Sequence, residues 1–423
     1  MSLILLSLVM FLLEFVSSAQ YPLINKNNYM YLAPEGNSNK VDISNPWRFN
    51  FIDTTGLIKH WGYEGEEHSV TTEDGYIISI YHIVPKQNNS PPVLIMHGLL
   101  ANSESFLARG EKDLPILLTE AGYDVWVGNF RGNNNGKRHV NMTSDNEDFW
   151  KFSFHELGIY DLPAFVDYIL DRSSFSKMTI IAHSLANAAT LVMTSTKPEY
   201  NDKINLFVGL APYVFAVNFP PGPLAEPLLR SAVRYCNRVR KFEIFETRSI
   251  NPLVRICDII PLPCAFIYLL LLGITDIKYD LSFVSVISGF FPAGTSIFNI
   301  IHAVALYRLG RFCQFDHGRN ENLIRYNSEE PPDYNLTRVT IPVVLFSGGR
   351  DLLLDPRDLK RLEKSLVNLI GSYRINSYNH FDLVIAHDTK EMMYDHIVEI
   401  IGQNQEPPLV NGLSTKRTPR SPG

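Results

Sequence analysis

Residues 178–192 read MTIIAHSLANAATLV, an apolar run that passes through a serine into an alanine-rich run. The first five residues are aliphatic or β-branched, which is typical of a buried strand, and residues 188–192 favour a helix. Ser184 lies at the turn between the two. A serine at such a strand–turn–helix junction is typical of a nucleophile elbow, beside the N–H groups that begin the helix. The alternative is a serine that only caps the helix.

A serine hydroxyl reacts only with help from a base, and that base needs a carboxylate to orient it. Asp351 follows an apolar run and a Gly348-Gly349 turn, and His380 follows the last strand-like run. Ser, Asp and His in this chain order are the arrangement of the α/β-hydrolases. The sequence therefore predicts Ser184 as nucleophile, Asp351 as carboxylate and His380 as base.

Other residues compete for two of these roles. Asp355 and Asp358 lie close to Asp351, but Asp355 precedes a proline and is expected to cap a helix instead. His387 follows His380 by seven residues, within a stretch expected to begin the final helix. Histidines inside helices are more often structural than catalytic.

Acyl transfer also requires donors for a tetrahedral oxyanion. The backbone N–H of Leu185, directly after the predicted nucleophile, is expected to be one donor. A second donor is expected from the loop after an early strand, where His97-Gly98-Leu99-Leu100 lies.

From residue 76, short apolar runs alternate with amphipathic stretches. This alternation predicts a mostly parallel sheet with helices on both faces. The predicted strands are Val93–Met96, Tyr123–Val127, Met178–Ala182, Ile204–Leu210, Ile341–Phe346 and Ser372–Ile375, and the predicted helices include Ile159–Leu170 and Asp358–Leu369.

The alternation stops between about residues 212 and 338, a segment rich in Pro, Phe and Leu. We interpret residues 212–338, the cap segment below, as a helical cap over the site; a second core without a ligand role is the alternative. Within it, basic residues recur at near-helical spacing, which indicates a solvated helix face or, alternatively, contact with anionic lipid. They are Arg230, Arg234, Arg238, Arg240 and Lys241.

The N-terminal residues indicate the compartment. Residues 3–16 form an apolar run that ends in Ser17-Ser18-Ala19. The run is too short for a comfortable membrane span and is typical of a cleaved signal peptide; an uncleaved anchor is the alternative. N-x-S/T sequons at Asn88, Asn141 and Asn335 are predicted glycosylation sites on that route.

Composition excludes several other classes of protein. The chain has 423 residues, 45% of them hydrophobic, with a formal net charge of −6, so a globular protein is expected rather than one that binds nucleic acid. The 12 histidines show no H-x-x-x-H pair, and no nucleotide-binding fingerprint occurs. No metal or cofactor is predicted.

Further motifs give the sequence a family resemblance. The chain resembles the acid lipases, the gastric and lysosomal group with its insect members, from about Ile58 to Ile400. The motifs are HWGYE (60–64), TEDGY (72–76), HGLL (97–100), GYDVW (122–126), GNFRGN (128–133), FWKFSF (149–154), YDLPA (160–164), PAGTS (292–296), GGRD (348–351) and YNH (378–380).

The resemblance implies the triad Ser184, Asp351 and His380, with oxyanion donors at Leu99 and Leu185. It also implies hydrolysis of neutral lipid esters beneath a mobile cap. One departure concerns the elbow, which reads A-H-S-L-A here and G-H-S-Q-G in the family. Glycines suit a strained turn, so two alanine methyl groups are expected to displace Ser184 slightly or to be accommodated around it.

The resemblance suggests a disulfide in the cap segment, for which Cys257 and Cys264 are best placed. Cys236 and Cys313 are left open between pairing and buried free thiols.

We therefore predict an α/β-hydrolase fold with a signal peptide (1–19), a core in two parts (20–211 and 339–403), a cap (212–338) and a disordered tail (404–423). The predicted activity is that of a serine lipase, secreted or lysosomal, which hydrolyses triacylglycerols or sterol esters at an interface. A weak or inactive lipid-binding protein with the same fold is the alternative. No stable membrane span is predicted, and the sequence does not indicate an oligomeric state.

Overall fold

The computed structural model describes residues 53–218, 231, 234, 236, 238–245, 281–405 and 407–408, with only the backbone given for residues 281–285. Several predictions lie outside these residues: the signal peptide, the Cys257–Cys264 disulfide, most of the tail and the central part of the cap segment.

A central, mostly parallel sheet forms the core. Its strands are β1 (Gly65–Thr71), β2 (Tyr76–Ile83), β3 (Pro92–Met96), β4 (Asp124–Gly128), β5 (Arg138–His139), β6 (Met178–His183), β7 (Ile204–Leu210), β10 (Val343–Gly348) and β11 (Leu369–Ile375). The order across the sheet is β1-β2-β4-β3-β6-β7-β10-β11, and β5 pairs with β2. Only the pairs that involve β1, β2 and β5 are antiparallel. The α/β-hydrolase prediction is confirmed.

The interior strands are mostly apolar and are buried throughout, as expected for a sheet covered on both faces. Every residue of β3, β6, β7 and β10 is buried. Each of the six predicted strands corresponds to a strand of the structure, with ends displaced by up to three residues.

Helices connect and cover these strands. In chain order they are α1 (Thr54–His60), α2 (Leu114–Glu120), α3 (Phe154–Glu156), α4 (Leu162–Leu170), α5 (Leu185–Thr196), α6 (Leu281–Phe290), α7 (Ile297–Leu309), α8 (Arg319–Tyr326), α9 (Pro356–Ser365), α10 (Asp382–Ile385) and α11 (Asp395–Gln403). A π-helical turn, Leu157–Asp161, joins α3 to α4. The helix predicted over Asp358–Leu369 was wrong at its end, because Leu369 already begins β11.

The described part of the cap segment contains α6, α7, α8 and a separate two-stranded sheet of β8 (Glu243–Ile244) and β9 (Thr295–Ser296). The PAGTS stretch attaches this segment to the core. The Ala293 N–H donates to the Leu100 carbonyl at 2.6 Å, and the Ser296 hydroxyl donates to the Trp150 carbonyl at 2.5 Å.

A buried ion network explains three of the motifs. The Arg131 guanidinium contacts the Asp161 carboxylate at 2.6 Å and the Asp74 carboxylate at 2.5 Å. These residues come from the GNFRGN, YDLPA and TEDGY motifs. The network therefore joins three segments that are distant in sequence.

The three predicted glycosylation sites are accessible, since Asn88, Asn141 and Asn335 are all exposed. Of the two cysteines left open above, Cys313 is a buried free thiol. Among the described helices, none combines the length and apolar character needed to cross a bilayer.

Candidate active site

Ser184 lies directly after β6 and directly before α5, as predicted. Its backbone has φ 55° and ψ −118°, a conformation that residues other than glycine seldom adopt, and its side chain makes no capping hydrogen bond to the helix. The capping alternative is therefore wrong. The turn is also tightly packed, because a Cβ on Gly98 would come within 2.7 Å of Ser184 Cβ.

The structure brings together the three residues predicted as a triad. His380 Nε2 lies 2.7 Å from Ser184 Oγ, and His380 Nδ1 lies 2.8 Å from Asp351 Oδ2. The side chain of Asp351 is fully buried and that of His380 is 3% exposed. In a buried site, such contacts are strengthened by the exclusion of water.

Further hydrogen bonds fix the carboxylate and the imidazole. Asp351 Oδ1 accepts from the N–H groups of Leu353, at 2.7 Å, and Leu354, at 3.0 Å, which leaves Oδ2 for His380. The backbone carbonyl of His380 lies 3.0 Å from His183 Nε2. The loop that carries His380 is thereby tied to the residue before Ser184.

The competing candidates lie elsewhere. Asp355 caps α9 by accepting from the Arg357 N–H, as expected. Asp358 accepts two hydrogen bonds from Asn218, at 2.7 and 2.8 Å. His387 is not inside a helix, contrary to the prediction: α10 ends at Ile385, and His387 lies in an exposed turn.

Two other histidines near Ser184 are held neutral. Burial lowers the pKa of His97 to about 4 and that of His183 to about 3. His97 Nε2 accepts from the Phe130 N–H at 3.1 Å. Both side chains therefore serve as fixed hydrogen-bonding groups at neutral pH.

The predicted oxyanion donors lie on either side of the serine turn. Leu185 is the first residue of α5, and Leu99 follows Gly98, which packs against Ser184. Within the described residues, neither amide donates to a carbonyl or to a side chain. Leu100, the next residue, has φ 63°, so a second strained residue stands beside the site.

Asn187 is a residue that sequence reasoning missed. It is fully buried on α5, and its side-chain NH₂ lies within hydrogen-bonding distance of three carbonyls: 2.9 Å from Ser184, 3.0 Å from Ala182 and 3.1 Å from Leu210. These carbonyls belong to the serine turn, β6 and β7. In the sequence, the signal for a role of Asn187 was its position directly after the A-H-S-L-A elbow, three residues from Ser184. Only the fold shows which groups accept its hydrogen bonds.

The two elbow alanines are completely buried. Ala182, in β6, pairs with Met96 of β3 and Gly209 of β7, and Ala186 lies in the first turn of α5. The short contact between Ser184 and His380 is formed with both methyl groups in place.

Known proteins match most of the chain. Residues 54–110 match the partial α/β-hydrolase lipase region, and residues 91–240 match the α/β-hydrolase fold. The chain is 34% identical to Lipase 1 of Drosophila melanogaster (83% of this chain, 80% of that protein) and 32% identical to gastric triacylglycerol lipase of Rattus norvegicus (84% and 92%).

A solved structure of a candidate lipase from Sulfolobus solfataricus, 12% identical, shares the fold with a TM-score of 0.56 over 81% of this chain and 94% of that one. Taken with the sequence relatives, these likenesses show that the chain belongs to the α/β-hydrolase lipase family of carboxylic ester hydrolases.

Proposed function

We propose that the protein is a serine lipase that hydrolyses neutral lipid esters, triacylglycerols or sterol esters, through an acyl-enzyme on Ser184. The observation that carries the proposal is the His380 imidazole, which contacts Ser184 Oγ and Asp351 Oδ2 at 2.7 and 2.8 Å. These are the distances at which a base can take a proton from a hydroxyl while a carboxylate orients it.

The reaction has two halves. His380 Nε2 takes the hydroxyl proton as Ser184 Oγ attacks the ester carbonyl, and the Leu99 and Leu185 N–H groups stabilise the oxyanion. His380 then gives the proton to the departing alcohol, which leaves an acyl group on Ser184. Water, deprotonated by the same imidazole, attacks the acyl-enzyme; the fatty acid is released as His380 returns the proton to Ser184 Oγ, which restores the free enzyme.

Two observations favour a lipid acyl chain as the substrate. Relatives that match most of the chain include gastric triacylglycerol lipases. In addition, the Phe291 ring of the cap segment lies 4.9 Å from the ring of Phe381, next to His380. An aromatic side chain from the cap segment thus packs against the residue that follows the proposed base, and apolar surface there would suit an acyl chain.

We also place the protein in the secretory route, as a secreted or lysosomal enzyme. The apolar run at residues 3–16 and the exposed residues Asn88, Asn141 and Asn335 support this location. Digestion of the purified protein with an N-glycosidase should reduce its mass, and an unchanged mass would argue against all three glycosylation sites.

A fluorophosphonate probe tests the nucleophile. It should label the protein once, at Ser184, and the Ser184→Ala variant should remain unlabelled. If the folded wild-type protein resists labelling, the weak or inactive lipid-binding alternative replaces this proposal.

Substrate presentation tests the lipase assignment. Emulsified triacylglycerol or sterol ester should be hydrolysed faster than a short soluble ester per mole of enzyme. A strong preference for soluble acetate esters, with no rate on emulsions, would instead indicate a general esterase.

A further inference from the structure

A cluster of two histidines and one glutamate lies on the sheet, away from the triad. Glu66 and His68 are on β1, and His82 is on β2, directly paired with Glu66. Each side chain offers one ligand atom, and the three atoms lie within 4.8 Å of one another. His82 contacts Asp124, the first residue of β4, whereas Ser184 follows the carboxyl end of β6.

The spacing of the ligand atoms suits a tetrahedral metal. Glu66 Oε2 lies 3.2 Å from His68 Nε2 and 3.4 Å from His82 Nδ1. Two ligands bound at 2.0–2.1 Å in tetrahedral geometry are separated by about 3.3 Å. The carboxylate is thus at the distance from both imidazole nitrogens that a tetrahedral metal requires. The two imidazole nitrogens lie within 4.8 Å of each other, so a small movement would bring them to the same separation.

Each histidine is also oriented through its other ring nitrogen. His82 Nε2 lies 2.6 Å from Asp124 Oδ1, and His68 Nδ1 lies 2.9 Å from the Tyr168 hydroxyl. A carboxylate or hydroxyl on the far side of the ring is the usual partner of a metal-bound histidine, since it fixes the tautomer and orients the free nitrogen.

The charge of the cluster favours a cation. Two carboxylates flank the His82 ring, since Glu66 Oε2 lies 3.4 Å from Nδ1 and Asp124 Oδ1 lies 2.6 Å from Nε2. A bound cation would compensate the negative charge that these two carboxylates bring together. The side chains of His68 and His82 are 22% and 15% exposed, so the cluster is partly shielded yet reachable from solvent.

We propose that Glu66, His68 and His82 form a Zn²⁺ site, with Asp124 and Tyr168 orienting the two imidazoles and water completing the coordination. Imidazole nitrogen and carboxylate oxygen are ordinary zinc ligands. Glu66 and His68 are two residues apart on β1, but the third ligand comes from β2, so the spacing in the sequence alone does not indicate the complete set. The ion would join β1 to β2 and, through Asp124 and Tyr168, to β4 and α4.

Titration of the chelator-treated, full-length protein with Zn²⁺ at pH 7.5 tests the site. Isothermal calorimetry should show one tight site per chain, and Zn²⁺ should raise the thermal unfolding midpoint. Glu66→Gln, which alters an exposed side chain, and His68→Gln should each weaken binding by about 100-fold or more. Asp124→Asn should weaken it by about 10- to 100-fold, the usual cost of losing such an orienting partner.

His396→Gln is the matched control, since His396 forms an exposed pair with Glu399 at 3.5 Å. It should bind Zn²⁺ as the wild type does. Co²⁺ gives an independent readout, the visible spectrum of a four-coordinate ion, which should appear in the wild type and not in His68→Gln. The proposal is overturned if Zn²⁺ binding is equally tight in Glu66→Gln and His68→Gln. It is also overturned if the wild type binds no stoichiometric Zn²⁺.

Discussion

The backbone of Ser184 shows how the surroundings of one residue hold it in place. Its φ of 55° is a conformation that costs a non-glycine residue about 1–3 kcal/mol and persists only where the surrounding structure enforces it. Here the Ser184 N–H donates to Leu210 at 2.9 Å, and Asn187 lies against the Ser184 carbonyl. This turn projects the hydroxyl toward His380 instead of toward the helix.

The first prediction concerns the triad. Ser184→Ala and His380→Ala should each lower kcat by roughly 10⁴-fold, because triad members act as a unit. His387→Ala is the control, since that side chain is exposed in a turn, and it should keep nearly full activity. Hydrolysis of a soluble ester by folded variants is the measurement. Loss of activity in His387→Ala with activity retained in His380→Ala would reverse the assignment of the base.

The second prediction concerns Asn187. Asn187→Ala removes the NH₂ group that lies against three carbonyls around the turn, so Ser184 should lose its precise position. We expect kcat to fall by about 10- to 100-fold, the scale of a small misplacement of reacting groups, while KM changes little. Thr194→Val, which removes a buried 2.9 Å bond to the Thr190 carbonyl on the same helix, should leave kcat unchanged. Equal loss of stability in both variants, without a change in kcat, would mean that Asn187 is only structural.

The sequence predicts the triad candidates but not Asn187, and the reason is physical. Ser, Asp and His in a fixed chain order beside predicted strands form a recognisable pattern. The acceptors of Asn187 are backbone carbonyls, which have the same chemistry at every position. Only the fold shows which of them lie together.

At the scale of elements, the junction of β6 and α5 carries the two alanines of the elbow. Both are fully buried, and the 2.7 Å contact between Ser184 and His380 forms in their presence. The neighbouring strands and helix have therefore accommodated the methyl groups.

The third prediction follows from that accommodation. The double variant Ala182→Gly with Ala186→Gly should be no faster than the wild type. It should be less stable by about 1–2 kcal/mol, because each glycine costs about 0.5–1 kcal/mol of conformational entropy in a strand or helix. Steady-state kinetics and urea unfolding measure the two effects. A gain in kcat of about a hundredfold, equivalent to about 2.7 kcal/mol of barrier, would show that the alanines strain the natural enzyme.

The fourth prediction concerns the turn before α2. Asp113 Oδ2 accepts from the N–H groups of Arg109, at 2.6 Å, and Gly110, at 2.8 Å, and burial raises the pKa of Asp113 to about 7. Between pH 4 and 7 the folded protein therefore keeps a proton that the unfolded chain releases. This group's contribution to stability is complete below pH 4 and is lost as the pH rises through 7.

Urea unfolding across this range measures the contribution. The free energy of unfolding of the wild type, minus that of Asp113→Asn, should fall as the pH rises from 4 to 7, by at most about 1.4 kcal/mol per pH unit. Exposed Asp148→Asn should show no such trend. A difference that rises with pH would mean that Asp113 is ionised in the folded protein.

The elements of the core were largely predictable, because runs of β-branched and aliphatic residues have few alternatives to a buried strand. The ends of helices and strands were less predictable where one apolar pattern runs from a helix into the following strand. Leu359 and Leu362 face the core from α9, and the apolar pattern continues through Leu366 to Leu369, which begins β11. The helical period alone does not show where the helix ends.

At the scale of the whole molecule, Arg131 holds distant segments together. Arg131 is 2% exposed. Of its two carboxylate partners, Asp74 lies 57 residues earlier in the chain and Asp161 lies 30 residues later. Its guanidinium also lies 3.8 Å from the ring centre of Tyr76.

The fifth prediction tests this network. Arg131→Met leaves the Asp161 carboxylate buried without its cation, so the free energy of unfolding should fall by about 3–5 kcal/mol. Arg325→Gln removes an exposed pair with Glu321 and should leave the urea midpoint nearly unchanged. Similar midpoints for the two variants would show that the buried network contributes little.

The sequence motifs predicted the family, but they did not predict which structural role each motif has. TEDGY, GNFRGN and YDLPA appear as separate signatures along the chain, and their shared role becomes visible only when folding brings their charged residues into one network. The organisation of residues 212–338 as a cap stays a prediction, since the structure describes only parts of that segment.

The bond between the Ala293 N–H and the Leu100 carbonyl has a consequence for engineering. Leu100 directly follows one of the two proposed oxyanion donors, so the cap segment is fastened to the catalytic loop itself. A chimaera that takes residues 212–338 from another hydrolase would have to form this bond again between segments from two different proteins. Residues 292–296 and 97–100 should therefore be exchanged as a pair, as one module, when substrate selectivity is transplanted.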